Sequence, residues 1–477
     1  MTKAPAKKLD VSYSSEPEQI SPVGTRYTTR ISKVFSDDSY IQALLDVEAA
    51  NAQALSELYP QKVPRSSAAM IRRIASVKAV RPREVRNAER RTHHEMAALI
   101  SVMAAKAGKD GRYVHFGMTS ADAVETAKAM QISEALSMLI ESAAAARDAA
   151  LRRAKDWRDI TCISRTHGQH AIPTSFGFPF AFFGYCIQRS IERLEYDLSR
   201  HVEGKLSGAI GTYDVHSSEG IDGRRVERAV LSKLKVKSAE ISLQTPPREG
   251  IAYIISDVAV LCGRLASVAS YIKTLKRTEI SELEEPQDED TVGSSAMPHK
   301  SIRGNPFIEE RCISIGRVVR SHASTALESI SMEDLRDLSA SLSDRIALPE
   351  SFVLADYSCD LIANLMERVR PVRQSIDRNL GHFGGAIASQ LVMSKLVEKG
   401  MQRSEARAIA EKHARQALSS GKAYASLLRA DSKVSAMLSA EEIESLCNPE
   451  SGIGTARESV DFIAKKYLNA RRGTQSQ

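Results

Sequence analysis

Aromatic residues are scarce: Phe, Trp and Tyr make up 5% of 477 residues, with a single Trp. A stacking platform for nucleic-acid bases or sugars is therefore a poor expectation. The six cysteines, at 162, 186, 262, 312, 359 and 447, include no Cys-x-x-Cys pair. That argues against a disulfide framework or a structural zinc, and for a reducing cytoplasm. The first twenty residues lack the apolar core of a signal peptide. The longest apolar stretch, 251–275, carries Asp257 and Arg264 and does not read as a membrane span. Also missing are a Walker A loop, a Gly-x-Gly-x-x-Gly, a Gly-x-Ser-x-Gly and a His-Glu-x-x-His. Nothing asks for a nucleotide cofactor, a serine-hydrolase triad or zinc, so neither metal nor cofactor is expected.

What is present is globular arithmetic: 43% hydrophobic and 26% charged residues over a length that suggests about three domains. The net charge of +7 is diffuse, with Arg81, Arg83, Arg86, Arg90 and Arg91 as the one cluster. It points to an anionic small molecule before nucleic acid.

Helix dominates the pattern. Residues 118–167 contain neither Gly nor Pro and are rich in Ala, Leu, Glu, Arg and Met, which favours one or two long helices. Ile254, Val258, Leu261, Leu265, Val268, Ile272 and Leu275 alternate at spacings of four and three, a heptad stripe that needs long partners. Strand-like alternation is scarce, so the fold class is all-α, a long-helix bundle completed by other subunits. After a polar tail (1–20), Gly and Pro punctuation separates 21–117, 118–370 and 371–477. The middle section breaks at 168–177, 204–211 and 286–306. Gly400 reads as a helix C-cap and Ser404 as the next N-cap.

The densest chemistry lies in Thr291-Val-Gly-Ser-Ser-Ala-Met-Pro-His-Lys300, leading to Asn305-Pro306. Serines after a glycine, beside His and Lys, can bind a carboxylate, and a serine alkoxide can act as base if backbone N–H groups and Lys300 lower its pKa. A Ser/Gly-rich surface loop is the plain alternative. A second cluster, Ser164 to His170, reads as the end of a long helix. A third, Val114 to Asp122, offers Thr119 or Ser120 as the cap of that helix, a role that leaves His115 unexplained. Thr92-His93-His94-Glu95 reads as continuous helix, on which adjacent histidines face apart and cannot chelate one metal.

Taken in order, these pieces resemble the fumarase/aspartase superfamily and, within it, the adenylosuccinate lyases. Gly293 to Lys300 with Asn305-Pro306 is similar to the signature GSSxMPxKxNP, with His299 before the lysine. The stretches 115–127, 165–177, 205–213, 243–248 and 335–346, the pair Arg26-Tyr27 and the Thr-x-His at His94 extend the likeness from about residue 20 to the C-terminus. Two departures stand out. Four residues, Ser301 to Gly304, separate Lys300 from Asn305 where the family has one. Leu335 and Ala340 stand where it has Glu and His.

The resemblance implies a three-domain helical subunit and a homotetramer with a core of twenty helices and active sites shared between subunits. It implies elimination of fumarate from adenylosuccinate and from the succinylaminoimidazole-carboxamide ribotide. By the same likeness Ser294 is the base, His167 the general acid, and Lys300 and Asn305 stabilise the aci-carboxylate. His94, Thr119, Ser120 and Gln244 bind the succinyl and base portions. Arg26, Tyr27, Arg336, Ser341 and Arg345 grip phosphate and carboxylate. His115, Asp122, Thr166, Ser295 and Met297 complete the substrate-binding set. The alternatives are a lyase for another succinyl or aspartyl compound, or a carboxymuconate cycloisomerase-like enzyme. A protein that kept the fold and lost activity is a third, against which Ser294, His167 and Lys300 together speak.

Overall fold

The computed structural model describes residues 21–286, 296–297, 299–300 and 304–468. Helices form where good helix formers follow a capping residue. Helix α1 (Asp37–Leu58) starts at Ser36, whose hydroxyl accepts from the Ser39 N–H at 3.3 Å, and Asp37 and Asp38 complement the dipole of its first turn. There follow α2 (Arg65–Ile74), α3 (Pro82–Thr92), α4 (Glu95–Ala107), α5 (Ser120–Asp156), α6 (Phe178–Arg200), α7 (Asp214–Ser218), α8 (Gly223–Leu234) and α9 (Glu249–Leu275). The later helices are α10 (Phe307–Glu328), α11 (Ser339–Arg368), α12 (Arg373–Gly381), α13 (Ser389–Glu398), α14 (Arg403–Ser420), α15 (Tyr424–Ala430), α16 (Ser432–Ser435), α17 (Ala440–Cys447) and α18 (Ala456–Tyr467). The all-α class holds.

Two compact units divide the chain. The first takes residues up to Ile140, Arg193–Ala259 and Val319–Tyr357; the second takes Glu141–Glu192, Val260–Val318 and residues from Ser358 onward. Five long helices, α5, α6, α9, α10 and α11, contribute a segment to each. In the first unit, α1, α2, α3, α4 and α8 bury Leu44, Leu45, Leu55, Ile71, Leu99 and Val230 in one apolar cluster. In the second, α13 to α17 bury Val392, Leu396, Tyr424, Leu428 and Val434 in another.

Every member of the heptad stripe is buried, from Ile254 to Leu275 on α9. Among the described residues α9 is the one helix long and apolar enough to cross a membrane, but 56% of its apolar window is buried. Its Asp257 is ion-paired to Arg193 at 2.9 Å. Those are the marks of a core helix.

Local details depart from the sequence reading. The long helix stops at Asp156, and residues 161–175 form an antiparallel hairpin of β1 (Thr161–Thr166) and β2 (Gln169–Ser175). Trp157 ends the helix by turning into an aromatic cluster with Phe176 and Phe180, at centroid distances of 5.6 and 4.8 Å. Two further two-residue pairings, β3 (Glu203–Gly204) with β4 (Lys237–Ser238) and β5 (Leu283–Glu284) with β6 (Arg370–Pro371), tie helix ends together. Helix α14 begins before Ser404, with Gln402 at the cap position. Gly400, φ 104°, does end α13.

Candidate active site

The hairpin of the second unit carries His167 at its tip. Thr166 pairs with Gln169, which leaves His167 (φ 53°) and Gly168 (φ 74°) as a two-residue loop with both φ positive. Such a loop matches the twist of the strands it joins. The sequence reading as a helix end is corrected by this turn, since β-branched Thr161, Ile163 and Thr166 favour strand. Close to this tip the hairpin is fixed by Arg165, whose guanidinium holds the buried Glu282 through two bonds of 2.6 and 3.0 Å. Glu282 also accepts from Asn379 Nδ2 at 2.7 Å. Thr166 and His167 are exposed on this anchored tip. The Arg165–Glu282 pair escaped the sequence reading because its partners lie 117 positions apart.

In the first unit, the expected helix through Thr92–Glu95 is broken. His93 takes left-handed backbone (φ 52°) to end α3, and His94 caps α4, its Nδ1 accepting from the Ala97 N–H at 3.3 Å. With Nδ1 accepting, the proton of the neutral ring sits on Nε2, so the exposed His94 presents a donor suited to an anionic oxygen. The next residue, Glu95, accepts from Arg345 at 2.7 Å and from the Tyr40 hydroxyl at 3.3 Å. Burial and the Glu95 charge push the Tyr40 phenol well above its ordinary pKa.

His115 also sits at positive φ (62°), with its backbone N–H 2.9 Å from Glu48 Oε2 and Nδ1 2.6 Å from Oε1. Burial pulls its pKa down, but the hydrogen bond and charge of buried Glu48 outweigh that, and the net shift is upward from 6.5. Folding thus favours the protonated ring. The pair's stabilisation is fully present below the unfolded value, about 6.5, and is lost as pH rises through the folded pKa. Glu48→Gln is expected to lower the His115 pKa in an NMR titration and to destabilise the protein more at pH 6 than at pH 9. An unmoved titration would reject Glu48 as the group that holds the proton.

Thr119 occupies the cap position of α5, and Asp122 one turn in accepts from the Thr119 N–H at 2.8 Å. Asp122 was expected among the substrate contacts; it is fully buried. Its other oxygen takes Lys205 Nζ at 2.5 Å, Ser207 N–H at 3.0 Å and Gly208 N–H at 3.3 Å. Asp122 therefore joins the 115–127 and 205–213 stretches and holds the Thr119 main chain. Gln244 donates to Ala209 O at 2.9 Å, close to the same loop.

Ser341 and Arg345 line a cavity of about 340 Å³ with Tyr40, Glu95, Lys128 and Asp344. Asp344 is gripped bidentately by Arg248 (2.8 and 2.9 Å) and by Lys128 at 2.9 Å. Lys128 also holds Glu125, which lies 3.6 Å from Arg336. Arg336 and Arg345, two of the three arginines expected at the site, thus each lie beside a carboxylate of the fold. Arg26 is exposed, and Tyr27 packs on Tyr357 with ring centroids 5.5 Å apart.

Of the signature segment, Met297 and Lys300 are exposed and Asn305 is half-buried. Gly304 has φ 71°, a backbone closed to most residues, and Asn305 and Pro306 lead directly into α10. Ser294 and Ser295 lie outside the described residues. No group of three or more metal-ligating side chains occurs among the described residues.

Comparison with known proteins matches residues 25–320 to the family described as Lyase and residues 385–462 to the adenylosuccinate lyase C-terminus. The adenylosuccinate lyase of Methanothermobacter thermautotrophicus is 36% identical over 450 residues, covering 94% of this chain and 98% of the relative. That of Pyrococcus abyssi is 35% identical, covering 93% and 97%. Among solved structures, a fumarate lyase from Mesorhizobium sp. BNC1 superposes with a TM-score of 0.83 at 26% identity, covering 92% of this chain and 98% of that one. Near-complete coverage by curated adenylosuccinate lyases favours carbon–nitrogen elimination over the cycloisomerase alternative. With a matching C-terminal family and a superposing all-α fold on either side of the same motifs, the chain belongs to the adenylosuccinate lyase family of the fumarase/aspartase superfamily.

Proposed function

We propose that this chain eliminates fumarate from adenylosuccinate to give AMP, and from the succinylaminoimidazole-carboxamide ribotide, within purine nucleotide biosynthesis. The supporting observation is His167 held exposed at an anchored hairpin tip, a placement that suits a group meeting a departing nitrogen. The proton to be removed lies alpha to one carboxylate and beta to that nitrogen, so it is weakly acidic. Ser294 takes it as base, and Lys300 and Asn305 hold the carboxylate as it gains charge. His167 then donates to the amine, with no metal or organic cofactor in the scheme. His94 Nε2–H, His115, Thr119 and Ser120 suit the succinyl carboxylates. Arg26, Tyr27, Arg336, Ser341 and Arg345 suit the phosphate end, with Gln244, Thr166, Ser295 and Met297 around the base and loop. Purified protein incubated with adenylosuccinate should lose substrate absorbance as fumarate appears. Absence of turnover on both purine substrates, with activity on another succinyl-amine, would displace this reading.

The same reading includes a cytoplasmic homotetramer of three-domain subunits, divided near 117 and 370. Exposed apolar side chains along the long helices support it: Phe182 on α6, Tyr253 and Val260 on α9, Leu327 on α10, Leu342 and Ile346 on α11. Light scattering is expected to return four times the 52.3 kDa chain mass; a stable monomer at micromolar concentration would contradict shared active sites.

The insertion before Asn305 gives a separate expectation. Gly304 at positive φ, directly before Asn305, supports Asn305 keeping the role that the signature gives it despite the insertion. Deleting Ser301, Ile302 and Gly304 should then preserve kcat and alter mainly KM. Asn305→Ala should lower kcat about 10²-fold, the typical loss for one donor to a developing oxyanion. A neutral Asn305→Ala alongside an inactive Arg303→Ala would transfer the role to Arg303.

A further inference from the structure

The stretches that flank the signature segment share one buried cation. Lys276, directly after α9, places Nζ 2.8 Å from Glu285 Oε2 and 3.0 Å from Glu309 Oε1. Glu285 precedes Pro286, where the segment leaves β5, and Glu309 lies in the first turn of α10, where it re-enters helix. All three side chains are at least 95% buried. Arg368, at the end of α11, reinforces the outgoing end, with Nε 3.2 Å from Glu285 Oε1 and Nη2 3.3 Å from Pro286 O. Burial pushes the Glu309 carboxyl upward from its ordinary pKa even with Lys276 beside it. Desolvating a charge triad of this kind is costly, and a shorter apolar contact would serve stability as well. An arrangement that joins two flanking stretches through one ammonium is suited to a fixed spacing.

We infer that Lys276 is a positioning residue for the elimination: by bridging Glu285 and Glu309 it fixes the separation of the segment's two flanks, and so the placement of Lys300 and Asn305. The inference rests on the reading of Lys300 and Asn305 as the groups that hold the substrate carboxylate. Lys276 itself touches no substrate. Neither it nor Glu309 was singled out by the motifs, because a lysine at a helix end ordinarily reads as a favourable charge on the dipole.

The test separates positioning from stability. Lys276→Met leaves Glu309 uncompensated, so it should lower both melting temperature and kcat. Adding Glu309→Gln removes the orphaned charge, while Glu285 keeps Arg368. The double variant should therefore recover the melting temperature, yet kcat should stay about tenfold or more below wild type, since small misplacements of catalytic groups carry large rate losses. Lys276→Arg, which can still bridge both carboxylates, should retain most of the rate. Hydrogen exchange reads the tether without any substrate. The Lys300 amide, bonded to Met297 O at 3.0 Å, and the Phe307 amide, bonded to Asn305 O at 2.8 Å, should exchange at least about tenfold faster in the double variant. Recovery of kcat together with melting temperature, or unchanged exchange at these amides, overturns the inference. A wild-type protein inactive on both purine substrates would sink the functional reading instead, and the exchange result would still decide the tether.

Discussion

Ser294→Ala is expected to reduce kcat by about 10²–10⁴-fold, the usual contribution of a positioned general base, with substrate affinity and assembly little changed. The carbon acid in this elimination is weak, and no other step in the scheme can compensate for a proton left in place. Removing one oxygen changes volume little, so the variant isolates the chemistry. Calorimetric titration with adenylosuccinate, beside a fumarate assay, reads binding and turnover separately. A rate close to wild type would shift the base to Ser295 or to a histidine.

The largest expected loss of stability comes from Lys205→Met. Lys205 is fully buried, and its ammonium meets Asp122 at 2.5 Å and Gly208 O at 2.8 Å. Its backbone on both sides bonds Thr126, which donates to Lys205 O at 2.8 Å and accepts from its N–H at 3.2 Å. Removing the cation leaves a carboxylate in a dry interior with only backbone donors, and such breaks cost about 3–5 kcal/mol. Calorimetry at fixed protein concentration should show a clear drop in melting temperature. Pairing the change with Asp122→Asn should return part of it, because the uncompensated charge is then gone. Should the single variant melt with wild type, the ion pair does not hold these two stretches together.

Periodicity made the long helices legible: the α9 stripe repeats every three to four residues, and burial follows it residue by residue. The 161–175 hairpin was not legible, because it is short and borders a helix of 37 residues whose composition dominates any window. The break at His93 carried no signal either, since a left-handed non-glycine residue leaves no compositional mark. The motif residues could be named through their resemblance, but their partners could not. Glu48 lies 67 positions from His115, Lys205 lies 83 from Asp122, and Glu282 lies 117 from Arg165. Only the folded chain brings those charges together, and they decide which motif residues are buried braces and which stay exposed.

Three of the motif histidines, His93, His115 and His167, share backbone at positive φ. This bears on how any mutational scan of the protein should be read. Left-handed backbone disfavours alanine by roughly 1–2 kcal/mol and β-branched residues by more, while asparagine and glycine accept it. An alanine at one of these positions perturbs the turn as well as deleting the imidazole, so its rate loss mixes two effects. Asparagine keeps the turn and removes the titrating ring, and the difference between the two variants is the share of each histidine's apparent importance that belongs to the main chain.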